Sequence, residues 1–180
     1  SINNNNRMKR FYLFLSVLFL TIFMSSCSNE ASNPSPEEGY SKLIIKAETK
    51  SANEPTEEII FTGDDILWFN GTTKEIRFKD NYYQQNSISL YANIKFYLDD
   101  EYLFSTLTRV SDVNSQIFNS PVFYYSIIEN RFFINDGYPD IAVLGSLTEI
   151  QKIRDENMQV IANEWDKFIG YMKKVNKYKE

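Results

Sequence analysis

The sequence predicts an α+β domain: an antiparallel β-sheet built from hairpins, with one long C-terminal α-helix packed on it. Short apolar segments alternate with turn residues from residue 40 to about 136, a pattern typical of strands joined by tight turns. A proline-free segment over about 147–175 then carries apolar residues at spacings of three and four, which indicates an amphipathic helix. A β-sandwich with the helix as an appendage is the alternative architecture.

The first strands are expected in YSKLIIKAE and EEIIFTG, separated by the loop TKSANEPT. A hairpin follows in DDILWFNGTTKEIRF, where Asn70-Gly71 favours a tight turn because both residues tolerate positive φ. In VFYYSIIENRFFIN a turn at Glu129-Asn130 brings Phe123–Ile128 back against the next strand. Apolar residues occupy both faces of this hairpin, so we expect a central strand covered on both sides.

The hairpin NIKFYLDDEYLFSTLTRV turns at Asp99-Asp100. Regular pairing from that turn joins Leu98 to Glu101, Tyr97 to Tyr102 and Phe96 to Leu103. One face, expected to be the core, then holds Ile94, Phe96, Leu98, Leu103 and Leu107. The opposite, outer face holds Tyr97, Tyr102 and Phe104.

The predicted helix begins at a capping box, Ser146-Leu147-Thr148-Glu149, in which the glutamate reaches back to the cap amide. Lysines crowd its end, where the helix dipole is negative. The apolar stripe, more typical of packing on a sheet than of a coiled coil, consists of Met158, Ile161, Trp165, Phe168, Met172 and Val175.

The N-terminus has the pattern of a secretory signal. Met8-Lys9-Arg10 precedes FYLFLSVLFLTIF, residues 11–23, a basic region followed by an apolar run that is short for a membrane span. An N-terminal anchor helix is the alternative. We expect translation to start at Met8, so that residues 1–7 are an upstream extension.

The residues after this run, Met24-Ser25-Ser26-Cys27, resemble the bacterial lipobox, although leucine is the usual residue at the first position. The resemblance implies that a diacylglycerol alkylates the Cys27 thiol and that the chain is cut just before it. Acyl chains then anchor the protein, since each buried methylene contributes about 0.8 kcal/mol. The predicted organisation is a signal peptide at 8–26, lipidated Cys27 with a flexible tether at 27–39, and a single domain at 40–180.

Composition narrows the chemistry of this domain. Removal of residues 1–26 takes away Arg7, Lys9 and Arg10 and no acidic residue, so the net charge falls from −5 to −8. An acidic domain argues against nucleic-acid binding, which needs clustered cations. The chain has no histidine and only one cysteine, which removes the usual zinc sites and the His-dependent triads and dyads. No cofactor, metal site or catalytic residue is predicted.

Two groups of residues are candidates for a site. The acids Asp64, Asp65, Asp99, Asp100, Glu101, Asp136 and Asp140 lie at expected turns. They suit turn formation better than acid–base chemistry or calcium binding. Amphipathic aromatics suit protein or sugar recognition, although core packing is the alternative for each of them. The candidate binding surface comprises Tyr97, Tyr102, Phe104, Tyr124, Tyr125 and Tyr138.

The mature segment resembles the small lipoproteins of unknown function common in Bacteroidota. The resemblance rests on Cys27, on FTGDDILWFNGTTKEIRF, and on FYYSIIENRFFINDGYPD before a long helix. It implies an outer-membrane lipoprotein, periplasmic or surface-exposed. We expect a non-enzymatic binding or adhesion module with a protein or glycan as its ligand. The alternatives are an inhibitor or immunity-type protein that blocks an enzyme or toxin, and a carboxylate-based hydrolase.

Overall fold

The computed structural model describes residues 41–49, 56–79, 88–110, 116–145 and 147–180. The predicted signal peptide, Cys27, the tether and Ser146 of the predicted capping box lie outside the described residues. Residues 41–180 form one compact unit.

The strands in this unit are β1 (Leu43–Thr49), β2 (Glu57–Thr62), β3 (Ile66–Asn70), β4 (Glu75–Phe78), β5 (Tyr91–Leu98), β6 (Glu101–Val110), β7 (Val122–Ser126), β8 (Arg131–Asn135) and β9 (Tyr178–Lys179). The helices are α1 (Ile141–Leu144), α2 (Thr148–Val160) and α3 (Ala162–Lys174), and a 3-10 turn, Gly63–Asp65, joins β2 to β3.

All of these strands belong to one sheet, in the order β2-β1-β5-β6-β7-β8-β4-β3-β9. The α+β prediction is confirmed, and the β-sandwich alternative is wrong for the described strands because they do not divide into two sheets. The sheet is mixed rather than wholly antiparallel. Strands β6 and β7 run parallel, with Leu107 beside Val122 and Val110 beside Tyr125, and β9 adds in parallel to β3.

The sheet curls into a half-barrel. Phe61 lies on β2 at one edge of the strand order, yet its ring centroid is 4.7 Å from that of Phe78 on β4. The short turn Gly63–Asp65 carries the chain from β2 directly to β3, near the other edge. A sheet of this size curls because each strand is rotated relative to its neighbour. Its concave side encloses the core.

Helix α3 fills the concave side. Phe168 and Met172 are fully buried, and Phe168 lies edge-on to Phe69 of β3 at 5.3 Å and to Phe96 of β5 at 5.8 Å. Trp165 packs on the same cluster. The prediction that the apolar stripe packs on the sheet is therefore confirmed for α3.

The single helix predicted over 147–175 is interrupted. Ile161 stands between α2 and α3 with φ −108° and ψ 15°, and its N–H contacts the carbonyls of Met158 and Gln159. Leu147 occupies the N-cap of α2 without a side-chain hydrogen bond. Because of this break, the two helices pack in different places. Helix α3 packs on the concave side, while α2 buries Arg154 against the segments around Asn119 and Gly137.

The β5–β6 hairpin corrects one prediction about its faces. Leu98 pairs with Glu101 and Tyr97 with Tyr102 as expected, but Phe96 pairs with Phe104 instead of Leu103. A bulge at this point places an extra residue in β6, so Leu103 and Phe104 both turn inward. Phe104, predicted on the outer face, is 1% exposed.

The other two predicted hairpins form with adjusted turns. Between β3 and β4, Asn70 Oδ1 accepts hydrogen bonds from the N–H groups of Thr72 and Thr73, and the residue with positive φ is Lys74. The turn is thus longer than a two-residue turn at Asn70-Gly71. Between β7 and β8, Asn130 takes the left-handed conformation. Strand β7 is covered on both faces, as expected.

Candidate functional site

The outer, convex face of β2, β1, β5 and β6 carries the candidate site. Side chains alternate across a strand, so each residue between core positions of β1 and β5 points outward. On β1, Ile45 and Ala47 are fully buried while Lys46 between them is half-exposed. We call this site the outer-face patch, and it consists of Lys46, Glu57, Ile59, Lys95, Tyr97 and Tyr102.

An aromatic pair forms one end of the outer-face patch. Tyr97 and Tyr102 lie directly opposite each other on β5 and β6, with ring centroids 5.6 Å apart and ring planes at 70°. This edge-to-face geometry is favourable for aromatic rings. Tyr102 is 50% exposed, and Lys46 Nζ lies 4.5 Å from the centre of the Tyr97 ring. The pair is therefore held in place while its rings remain accessible.

A ladder of ion pairs continues the patch across three strands. Glu57 of β2 accepts from Lys95 Nζ at 3.0 Å and lies 3.4 Å from Lys46 Nζ. Glu48 lies 3.9 Å from Lys95. The hydrogen bond from Lys95 lowers the pKa of Glu57, and the reciprocal bond raises the pKa of Lys95. Both residues consequently stay charged at neutral pH.

Ile59 adds an exposed apolar side chain to this charged ladder. It pairs with Lys46 across β1 and β2 and is 61% exposed. The patch thus combines a branched aliphatic group, two tyrosine rings and fixed charges of both signs. Protein interfaces combine apolar anchors with a polar, charged surround in this way.

The remaining aromatics of the predicted surface do not join Tyr97 and Tyr102. Phe104 points into the core, where it stacks on Phe96 at 4.6 Å. Tyr125 is 6% exposed, because β7 is covered on its inner face, and its hydroxyl donates to Asn130 Oδ1. Tyr138 is 2% exposed and packs on half-buried Tyr124 at 5.1 Å. For Phe104, Tyr125 and Tyr138 the core-packing alternative is correct.

Three of the predicted turn acids accept hydrogen bonds from backbone N–H groups. Asp99 Oδ1 accepts from Lys42 N at 2.6 Å, Asp65 Oδ2 accepts from Thr62 N at 2.8 Å, and Asp140 Oδ1 accepts from Ala142 N at 2.8 Å. Asp64 and Asp136 stand on separate elements: the 3-10 turn and the bend after β8. Among the described residues no three Asp or Glu side chains lie close enough to hold a metal ion.

One lysine with an altered pKa lies at the end of the half-barrel. Lys177 Nζ donates to the Gly63 carbonyl at 2.7 Å. Burial lowers its pKa, as does nearby Lys79, although Asp64 and Asp65 act in the opposite direction. Burial likewise raises the pKa of Tyr171 next to Gly63. The amine tethers the segment before β9 to the 3-10 turn, which is a structural role.

The charged members of the outer-face patch could not be identified from the sequence. Lys46 and Glu57 lie in segments correctly predicted as strands, and the signal for Lys46 was the alternation of polar with buried positions in LIIKAET. Which polar residues meet could not be read from that signal, because β1 lies between β2 and β5 and the facing residues come from distant parts of the chain.

Comparison of the chain with protein-family profiles gave no match, and comparisons with curated proteins and with solved structures gave no significant match. None of the helices in the described ranges has the length and apolar character needed to cross a bilayer.

Proposed function

We propose that the protein is a lipid-anchored component of the bacterial cell envelope whose domain binds a protein partner through the outer-face patch. The observation that carries this proposal is the exposed Tyr97–Tyr102 pair beside Ile59 on an ion-paired sheet face. Tyrosine contributes a large contact area at low entropic cost. A surrounding ladder of opposite charges orients a partner and selects against wrong ones.

A protein suits this patch better than a glycan. The fixed charges of Lys46, Lys95 and Glu57 offer complementary contacts to charged side chains, and exposed Ile59 suits an apolar pocket on a partner. Binding also fits the chain's chemistry better than catalysis, because the chain contains no histidine and the turn acids Asp65, Asp99 and Asp140 serve the backbone.

The anchoring part of the proposal rests on the resemblance of Met24–Cys27 to a lipobox. We expect cells fed labelled palmitate to label the wild-type protein and not Cys27→Ala, which should also leave the membrane fraction. A Ser28→Ala variant is the control, because its thiol is intact. Equal labelling of Cys27→Ala would contradict lipidation at this residue.

Photocrosslinking in intact cells tests the binding part. A photoreactive amino acid at position 102 should capture a discrete adduct that the same group at position 160 does not, because Val160 is more exposed than Tyr102, at 80% against 50%, but lies on α2. Adding Ile59→Asp should reduce the adduct at position 102. Peptides of a second protein in the digested adduct identify a protein partner, whereas an adduct that glycosidase removes would replace the protein with a glycan. Equal capture from positions 102 and 160 would refute the patch.

A further inference from the structure

The guanidinium of Arg154 on α2 is buried without enough hydrogen-bond acceptors. Arg154 is 0% exposed, and neither Nη1 nor Nη2 has a hydrogen-bond partner within the described part of the chain. Nε reaches Asn119 Oδ1 only at 3.4 Å. Buried polar groups are nearly always paired, and a charged one that is not costs more than a neutral one. These two amino groups therefore point to a further acceptor.

The Arg154 guanidinium lies against the backbone at Gly137. A Cβ atom at Gly137 would lie 2.3 Å from Arg154 Nε and 2.5 Å from Cζ, so only glycine lets the guanidinium lie against the backbone here. The neighbouring residue Tyr138 is bridged to Phe118 by two backbone hydrogen bonds, of 2.7 and 2.9 Å. Arg154 thus sits on a rigid pair of segments.

A second arginine lies against the side chains of the two bridged residues. Arg109 of β6 places Cζ 5.7 Å from the Phe118 ring and 5.6 Å from the Tyr138 ring. Its Nε is also buried without a hydrogen-bond partner in the described ranges. Two cations, each with unpaired donors, therefore contact the two segments that this bridge joins.

The nearby negative charge does not satisfy these donors. Asp136 Oδ1 lies 4.0 Å from Arg154 Nη1, which is an ion pair beyond hydrogen-bond length. Among the described residues, no other carboxylate lies within 4.0 Å of a guanidinium nitrogen of Arg109 or Arg154. Its side chain is 39% exposed, so the Nη1 edge of Arg154 faces a group that reaches solvent.

We propose that Arg109 and Arg154 form a receptor for a small oxyanion, the carboxylate or phosphate group of a ligand, which enters beside Asp136. The planar fork of arginine matches the oxygens of both groups and can bind them through two parallel hydrogen bonds. Asp136 competes with the ligand for Arg154 Nη1 and thereby keeps the affinity of the site for the oxyanion moderate. This inference does not depend on the outer-face patch, which shares no residue with it.

The test is the thermal unfolding of the full chain in detergent, titrated with sodium phosphate, sulfate or acetate against sodium chloride at constant ionic strength. A ligand at one hundred times its dissociation constant should raise Tm by roughly 5–10 °C in a domain of this size. If only phosphate stabilises the protein, the ligand group is a phosphate. If acetate stabilises it, the ligand group is a carboxylate.

Three variants separate a site from a general salt effect. Arg109→Gln should weaken binding by about tenfold or more, because a charge-assisted hydrogen bond is lost. Asp136→Asn should strengthen it, because the competing carboxylate is gone. Arg77→Gln, at an exposed arginine on β4, should leave it unchanged. Arg154 is not substituted in this experiment, since removing its fully buried guanidinium would destabilise the fold itself.

The opposite results overturn the proposal. If all anions stabilise wild type and Arg109→Gln equally, the effect is that of salt on the whole surface. If no anion stabilises wild type or Asp136→Asn, Arg154 is a structural group held by Asp136. The same conclusion holds if Asp136→Asn only lowers Tm and gains no response to anions.

Discussion

Replacing Phe104 by alanine tests the bulge in the β5–β6 hairpin. Phe104 is 1% exposed, and its ring lies 4.6 Å from that of Phe96 and 5.3 Å from that of Trp165. Removing roughly 150 Å² of buried apolar surface at about 25 cal/mol per Å² costs about 4 kcal/mol. Substitutions of buried Phe by Ala cost a similar amount, about 3–5 kcal/mol.

The matched control lies two residues earlier on the same strand. Tyr102 is 50% exposed and contacts Tyr97 across the outer face. A cross-strand pair of this kind contributes up to about 1 kcal/mol, so Tyr102→Ala should lower the free energy of unfolding by about that amount. Without the bulge, Phe104 would share this outer face and its loss would be equally mild.

Urea unfolding of the full chain in detergent, followed by tryptophan fluorescence, measures both variants. Trp165 contacts the Phe104 ring and therefore reports on this part of the core. Phe104→Ala should lower the free energy of unfolding by at least about 2 kcal/mol more than Tyr102→Ala, with a similar dependence on urea. Equal losses would mean that Phe96 pairs with Leu103 and that no bulge exists.

Three further substitutions test the packing around α3 and β5. Gly170→Ala should raise the free energy of unfolding by about 0.5–1 kcal/mol, because Gly170 is exposed within α3 and a Cβ there meets nothing within 4 Å. Gly63→Ala should lower it by more than about 1 kcal/mol, since its Cβ would lie 2.1 Å from Tyr171 Oη. Equal urea midpoints for the two variants would contradict the opposite signs expected for them. Burial, followed by the hydrogen bond to Glu58, raises the pKa of Tyr91 from 10.0 to about 12. Its contribution to stability is therefore complete below pH 10 and is lost as pH rises toward 12, by at most about 1.4 kcal/mol per unit. Tyr91→Phe should flatten this alkaline decline in urea titrations, and an unchanged slope would refute the assignment.

Much of the local structure could be predicted because it depends on neighbouring residues. Alternation of apolar residues identified β1 and β2, and the Asp99-Asp100 turn set the pairing of Tyr97 with Tyr102 correctly. The stripe containing Phe168 and Met172 faces the core of the sheet, as its helical spacing indicated. These features follow from side-chain periodicity and turn chemistry, which act over a few residues.

Other features depended on contacts between distant segments. The bulge that turns Phe104 inward places its ring against Phe96 and Trp165 of α3, and a strand pattern alone gives no sign of it. The parallel pairing of β6 with β7 likewise depends on the path of the intervening chain. Regular alternation therefore assigned Phe104 to the wrong face.

The sequence by itself determined the class of the domain, the positions of most strands, the helical C-terminus and the absence of histidine. Only the tertiary structure decided which tyrosines reach the surface, that Lys46, Lys95 and Glu57 form one ladder, and that Arg154 is buried against Gly137. Burial and charge pairing are properties of side chains that meet from distant positions. Their partners are fixed by the curl and strand order of the sheet, which local patterns do not encode.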